Sequence, residues 1–317
     1  MKRLLRQFEN RGGKKIAFVF SFLLISVSWL LAVPDSVPAQ RIVTLDSGTD
    51  TLVLQLADLE DILAVRERTQ DPTVSLQWEK AREVRGLKRE MAEEVYAMKP
   101  DLVFFGQWSG YATREMLNKL GVPVVRLKSP KTWDEVYENI RQVGDLVGHP
   151  DRADAMIKSM QTRLTEVKQK IQNYPRKRAV FYVGRGSTYG SKTRQDMVMR
   201  SAGLINLSAE NGIEGLGNLS VEELLLENPD LIIFSDYKKD VPTLSRQILD
   251  HPAFEKLKAS QVVLTDVPSN RINCLDEYLV DCVEQLARTV YPQAFEETSE
   301  LTADAENSSN SIGRDQS

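Results

Sequence analysis

The sequence predicts an α/β protein of two lobes, each a mainly parallel sheet flanked by helices, joined by one long helix. Three observations predict it. A thirteen-residue phrase occurs twice, EEVYAMKPDLVFF at Glu93–Phe105 and EELLLENPDLIIF at Glu222–Phe234, 129 residues apart. That spacing is a domain's length, as a duplicated fold leaves behind. Strand-like and helix-spaced runs alternate through short links, the pattern of βα units in a parallel sheet. Between Pro150 and Pro175 there is no Gly or Pro, and Ala153, Met156, Ile157, Met160, Leu164, Val167 and Ile171 recur at helical spacing. One helix therefore runs between the two copies.

At 317 residues the chain can bury two cores of ordinary size. Its charge is uneven. Lys2, Arg3, Arg6, Arg11, Lys14 and Lys15 precede an uncharged run over Ile16–Val33, and Val37-Pro38-Ala39 offers a cleavage site before Gln40. This reads as a secretory signal, with an uncleaved anchor as the alternative, because eighteen apolar residues lie at the short edge of a membrane span. No Cys follows the run, so lipid attachment through an N-terminal Cys is not expected. The expected organisation is a signal peptide over 1–39, an N-terminal lobe over 41–147, a linking helix over 148–175, a C-terminal lobe over 176–295 and a disordered acidic tail over 296–317. Without its ends the chain is close to neutral, so no field favours nucleic acid.

The elements follow in order. Arg41–Leu45 is a β-rich run that ends at Asp46-Ser47-Gly48-Thr49, and Thr51–Leu59 has helical spacing. The small-residue turn reads equally as a helix cap or as backbone N–H groups open to a ligand. Ile62–Val65 reads as a strand, and Trp78 sits in a polar stretch with no local reason for burial. After the first phrase, Gly106-Gln107-Trp108-Ser109-Gly110-Tyr111 forms a turn at a strand's carboxyl end, where open α/β sheets bind ligands. Helix over Arg114–Leu120, strand over Val122–Leu127 and amphipathic helix over Thr132–Val147 complete the first lobe, with Trp133 assigned to the core. From Arg152 to Tyr174 the linking helix would run about 34 Å.

Arg178–Val183 opens the second lobe as a strand, followed by a turn over Gly184–Gly190 that contains Arg185 and Tyr189. The turn lacks Gly-Lys-Ser/Thr and the glycine spacing of a dinucleotide loop, so nucleotide binding is not expected. Asp196–Ala202 reads as helix, the second phrase ends at Ser235-Asp236-Tyr237, Val262–Leu264 is a strand and Leu275–Val290 the terminal helix. Cys274 and Cys282, eight residues apart, would lie about 12 Å apart if both were on one helix, too far for a disulfide; a bond would need Cys274 in the loop before the helix, and two half-buried free thiols are the expectation. The only histidines, His149 and His251, each precede a Pro. They cannot build a metal cage, neither sits where a nucleophile is presented, and no catalytic residue is nominated.

The opening RIVTLDSGTDTL, the phrases MAEEVYAMKPDLVFF and SVEELLLENPDLIIF, the linking helix and HPAFEKLKASQVVLTD together resemble the periplasmic-binding domain of iron–siderophore and vitamin B12 ABC importers, over about residues 41–295. The resemblance implies an exported, periplasmic, monomeric solute-binding protein without catalysis, which holds a ferric siderophore between two lobes and delivers it to an ABC permease dimer. No cofactor of its own is implied; iron would enter only within the siderophore. A Glu at each lobe tip would engage the permease, and matching the Pro-Asp anchors places these acids at Glu93 and Glu222. Ser220-Val221-Glu222-Glu223 fits a capping box with Glu223 as the capping acid, which leaves Glu222 free. The ligand candidates are Trp108, Tyr111, Arg185, Tyr189, Tyr237 and Arg271, since Arg pairs with oxyanions and aromatic rings give a chelate rigid contact area. Cobalamin or haem is the alternative ligand, and a membrane-anchored interaction protein without transport is the alternative class.

Overall fold

In the computed structural model, which describes residues 38–183, 186–235 and 263–296, the two halves of the chain build two sheets. The first half gives β1 (Ile42–Thr44), α1 (Ser47–Leu56), β2 (Ile62–Arg66), α2 (Trp78–Arg82), β3 (Arg85–Leu87), α3 (Ala92–Ala97), β4 (Leu102–Phe105), α4 (Tyr111–Lys119), β5 (Val124–Arg126) and α5 (Trp133–Leu146). Its five strands are all parallel, in the order β3-β2-β1-β4-β5. The chain leaves β1 toward β2 on one side and later returns to β4 on the other. This reversal puts a crevice outside the carboxyl ends of β1 and β4.

Helix α6 (Pro150–Ile171, 22 residues) follows, begun by Pro150 in its first turn, where a missing N–H costs nothing. The second half gives β6 (Lys177–Val183), β7 (Ser187–Tyr189), α7 (Arg194–Ser201), β8 (Leu204–Asn206), α8 (Leu207–Glu210), β9 (Leu216–Asn218), α9 (Val221–Glu227), β10 (Leu231–Phe234), β11 (Val263–Asp266), α10 (Ser269–Ile272) and α11 (Tyr278–Val290). Parallel pairing joins β11, β10, β6 and β8, while β7 and β9 extend the sheet antiparallel. The turn expected over Gly184–Gly190 is therefore partly a strand. Ser187–Tyr189 folds back on β6, because Thr188 directs its hydroxyl to the Phe181 carbonyl (2.8 Å) and Tyr189 sets its ring edge-on to Phe181.

One apolar cluster runs from Ile42, Leu52 and Phe104 through Ile140, Ile157 and Met160 to Phe181, Val198 and Val283. The joining helix is thus packed between elements of both halves. Arg163 on α6 also reaches Asp281 (2.5 Å) and Glu284 (2.8 Å) on α11. The opposite face of each sheet has its own smaller cluster, around Val103 and Phe105 in the first and around Val180 and Ile232 in the second. Large β-branched and aromatic residues fill β4 and β10, and all four positions of each are buried, as strands covered on both faces require.

Trp78, which had no local reason for burial, opens α2 and stacks under the guanidinium of Arg82, 4.5 Å from the ring centre. Trp133 is half-buried against the core, and its indole N–H donates to Ser201 Oγ across the two halves (2.9 Å). His149 precedes α6 and contacts Asp58 (3.1 Å). Cys274 and Cys282 are free and buried; Cys274 precedes α11 rather than sharing a helix with Cys282, so the one-helix spacing is not what keeps them apart. Residues 1–37 of the signal segment over 1–39, the acidic tail beyond residue 296, and His251 lie outside the described residues.

Candidate functional site

The crevice is built from the loops after β1 and β4. Asp46 caps α1: its Oδ1 accepts from the N–H groups of Gly48 (3.2 Å) and Thr49 (3.3 Å). Those N–H groups are satisfied within the chain, so the cap reading of the Asp46–Thr49 turn prevails over the ligand reading. The Asp46 carboxyl also occupies the space beside Gly106, where a side-chain Cβ would fall 2.4 Å from it. Glycine at 106 is what allows the two loops to touch.

From Gly106 the chain turns outward. Ser109 Oγ accepts from the Gly106 N–H (3.0 Å), and Gly110 adopts φ +58° with its α-carbon against Phe105. A side chain at Gly110 would be strained by both its φ and the clash. The turn leaves Trp108 86% exposed and Tyr111 71% exposed, with the Arg114 guanidinium 5.4 Å from the Tyr111 ring. Two large aromatic side chains standing in solvent beside a crevice are the uncommon observation at this end of the sheet.

Across the crevice lies the second half. The Asn273 carbonyl would meet a Cβ at Gly48 at 2.4 Å, so the loop after α10 abuts the start of α1. Gln55 donates to Asp276 Oδ2 (2.9 Å) and Gln77 donates to Tyr278 Oη (2.7 Å). Arg194, the first residue of α7, donates to the Cys274 carbonyl (2.8 Å) and to Ser129 Oγ of the first half (3.3 Å). Among the described residues its Nε is buried without a partner, as is Asn270 Oδ1. Burial holds the Arg194 pKa below its ordinary value, against the attraction of Cys274 and Asp46. Burial likewise pushes the carboxyls of Asp50 and Asp276 up to about 7.

The candidates named from sequence divide as follows. Trp108 and Tyr111 stand together on one exposed turn. Arg271 is half-buried in α10, near the carboxyl end of β11, and its charge is felt at the Cys282 thiol. Tyr189 lies in β7 rather than in a turn, half-buried on the core and close enough to Arg194 to influence it. Arg185 and Tyr237 lie outside the described residues. Sequence reasoning missed Arg194 and the acids Asp50 and Asp276. A signal existed for Asp50, which follows the Asp46 cap by one helical turn.

The two copies of the phrase place their acids alike. Glu93 and Glu222 are each exposed in the first turn of α3 and α9. The acid after each is engaged: Glu94 pairs with Arg85 (2.7 Å), and Glu223 closes a capping box with Ser220. The site as a whole is that of a two-lobed binding protein, with a crevice between the carboxyl ends of two sheets and no group of His, Cys, Asp and Glu suited to a metal among the described residues.

Residues 42–262 match the family model described as Periplasmic binding protein, and the chain belongs to that family. A substrate-binding lipoprotein of an ABC transporter, YvrC of Bacillus subtilis, is 24% identical over 215 residues, covering 65% of this chain. The chain spans just under two thirds, 66%, of that relative's length. The periplasmic heme-binding protein RhuT from Roseiflexus sp. RS-1 superposes with a TM-score of 0.67 at 20% identity, over 81% of this chain and 99% of that one. An ABC-type Fe3+-hydroxamate transport system protein from Saccharomonospora viridis gives 0.66 at 22% identity, over 80% and 94%. At these identities the likeness to solved structures establishes the fold.

Proposed function

We propose that this chain is the exported solute-binding component of an ABC importer, which takes a ferric siderophore into the crevice and hands it to a membrane permease without chemical turnover. The observation that supports this reading is the matched pair of helix starts. In both copies one acid is tied down locally, by Arg85 or by the Ser220 cap, and the one before it, Glu93 or Glu222, is left exposed. Local helix stability needs one acid in a first turn, and two symmetric protomers of a permease offer two equivalent places for the other. In this reading the protein acts as a periplasmic monomer and carries no cofactor, and iron arrives with its chelate.

For the ligand, Trp108 and Tyr111 supply flat apolar surface, and Arg271, with Arg185 and Tyr237, supplies charge and further contact. The Fe3+-hydroxamate relative supports the siderophore reading. The exposed aromatic pair supports a second one, a haem-like macrocycle, which the RhuT relative binds. The two differ in the weight of charge. Arg271→Ala should weaken a carboxylate- or hydroxamate-bearing chelate about tenfold or more, and should scarcely affect a macrocycle held by stacking.

The test of the function is mass spectrometry of the protein purified from its host under iron starvation. A ferric chelate bound to a chain that begins near Gln40 is the expected result, and an intact N-terminus with no ligand would overturn it. Glu93→Arg combined with Glu222→Arg should abolish uptake while binding persists. Unchanged uptake would remove the docking assignment and leave ligand binding standing.

A further inference from the structure

The joining helix has a second face. Ala153, Ile157, Met160, Val167 and Ile171 are its buried positions. Leu164, Thr165, Lys168 and Gln172 line, together with Ile171, one wall of a separate cavity of about 500 Å³. They fall at i, i+1, i+4 and i+8 with Ile171 at i+7, which is one stripe of a helix. A cavity of this volume suits a small molecule rather than a protein segment.

The cavity lies at the amino end of β6, by Arg176, whereas the crevice lies at the carboxyl ends of the strands. None of the cavity's lining residues is among the solute-site candidates.

Its opposite wall is aromatic and fixed. Trp133 is held by Ser201 (2.9 Å), and the Tyr291 hydroxyl donates to the Gly203 carbonyl (2.8 Å). Tyr174 lies against Tyr291 with ring centres 5.5 Å apart. All three rings line the cavity, so they present flat apolar surface without first having to be ordered.

Charge selects the occupant. Lys168, Arg176 and Arg200 line the cavity, and among the described residues no acid does. Arg200 is neutralised by Asp196 at 2.9 Å. Arg176 bonds the neutral Leu204 carbonyl (2.5 Å) and has no acid partner among the described residues, and Lys168 is exposed at the rim. The carboxyl ends of α6 and α7 each oppose about half a negative charge. Two full positive charges against about one negative leave room for a single anion.

We propose that this cavity is a second binding site, for a small amphipathic monoanion: one carboxylate on a flat aryl body, the carboxylate toward Lys168 and Arg176 and the ring among Trp133, Tyr174 and Tyr291. The probe is naphthalene-2-carboxylate, titrated calorimetrically into the purified full chain, with naphthalene-2-methanol as the uncharged analogue. The carboxylate should bind one to one, about tenfold tighter than the alcohol. K168E should weaken it about tenfold or more, and T165W, which fills the cavity, should abolish it. Both positions are exposed on α6, so both variants should fold, as circular dichroism would verify. Trp108→Ala in the crevice should leave the titration unchanged. Absence of binding at millimolar probe, equal affinity for the alcohol, or loss on Trp108→Ala with none on K168E would each overturn the proposal.

Discussion

Arg41 and Arg178 stand at the same point of the two lobes. Each donates its backbone N–H to the aspartate of the repeated Pro-Asp, Arg41 to Asp101 (3.1 Å) and Arg178 to Asp230 (2.8 Å). Each accepts the N–H of that aspartate on its own carbonyl, at 3.0 and 2.8 Å. Each also directs its guanidinium to the carbonyls that end the Glu-Glu helix, Met98 and Lys99 in one lobe and Glu227 in the other. The Pro-Asp of the phrase thus has a structural cause. It locks the strand after the helix to the strand at the lobe's centre, and the arginine caps the helix between them.

The first prediction follows from that lock. Asp230→Ala removes the acceptor of a backbone N–H and the partner of Lys177, and Arg178→Ala uncaps α9. Each should cost about 1–3 kcal/mol, read from the urea midpoint at unchanged slope. Asp101→Ala and Arg41→Ala should match them within about 1 kcal/mol. A large effect in one lobe and none in the other would contradict the equivalence.

Most of this fold was legible because its signals were local. Apolar runs at β1, β2, β4, β6 and β10 and helical periodicity at α5, α6 and α11 depend on nearby residues alone. Besides Ser187–Tyr189, which reads as a turn, three strands escaped for physical reasons. Arg85–Leu87, Leu204–Asn206 and Leu216–Asn218 have three residues each and no alternation to read, and their strand character comes from pairing with distant neighbours. At the site, Trp108 and Tyr111 were visible as aromatics in a glycine-bounded turn. Arg194 was not, because a buried arginine has the same sequence neighbourhood as a surface one, and its partners Ser129 and Cys274 lie 65 and 80 residues away. Tyr189 misled because a three-residue hairpin strand looks like the turn that precedes it.

The second prediction concerns pH. Asp50 and Asp276 are buried and their carboxyls are pushed up to about 7, by desolvation first. In the unfolded chain both titrate near 4. Between about 4 and 7 the folded protein therefore holds more protons than the unfolded one, and stability declines as pH rises through that window. Asp58, Glu214 and Glu223 are held low, by hydrogen bonds from Arg152, Lys192 and Ser220 respectively, and carry the opposite slope. Their contribution is complete above about 4.5. Urea unfolding should show greater stability at pH 5.5 than at pH 8, by roughly 1 kcal/mol or more, with Asp276→Asn reducing the difference. A rise in stability over this interval would refute it.

The third prediction concerns the thiols. Burial pushes Cys274 and Cys282 well above the ordinary thiol range, and the charges of Asp276 and Asp281 add to it. A thiolate is the reactive form, so neither should react with a disulfide reagent at pH 8 in the native protein. Both should react in strong denaturant, giving two thiols per chain. Fast reaction of the native protein would mean that the segment around α10 opens.

The last prediction concerns Arg194, which joins α7 to the first lobe at Ser129 and to the Cys274 carbonyl. Two effects oppose each other there. Its hydrogen bonds are charge-assisted and worth about 1.5–3 kcal/mol when lost. Its burial costs solvation, and Nε has no partner among the described residues to offset that. Because the guanidinium bridges two lobes and leaves behind a carbonyl and a hydroxyl that each lose their donor, the lost bonds should outweigh the recovered solvation. Arg194→Ala should then destabilise the chain by about 1.5–3 kcal/mol, and Arg194→Lys, a single point charge in place of a fork, should recover less than half of it. Arg194→Met separates the two effects, since it fills the same space without charge. If the Met variant equals or exceeds the native stability, solvation decides, and the arginine is kept for the electrostatics of the crevice at Asp46 rather than for holding the lobes together.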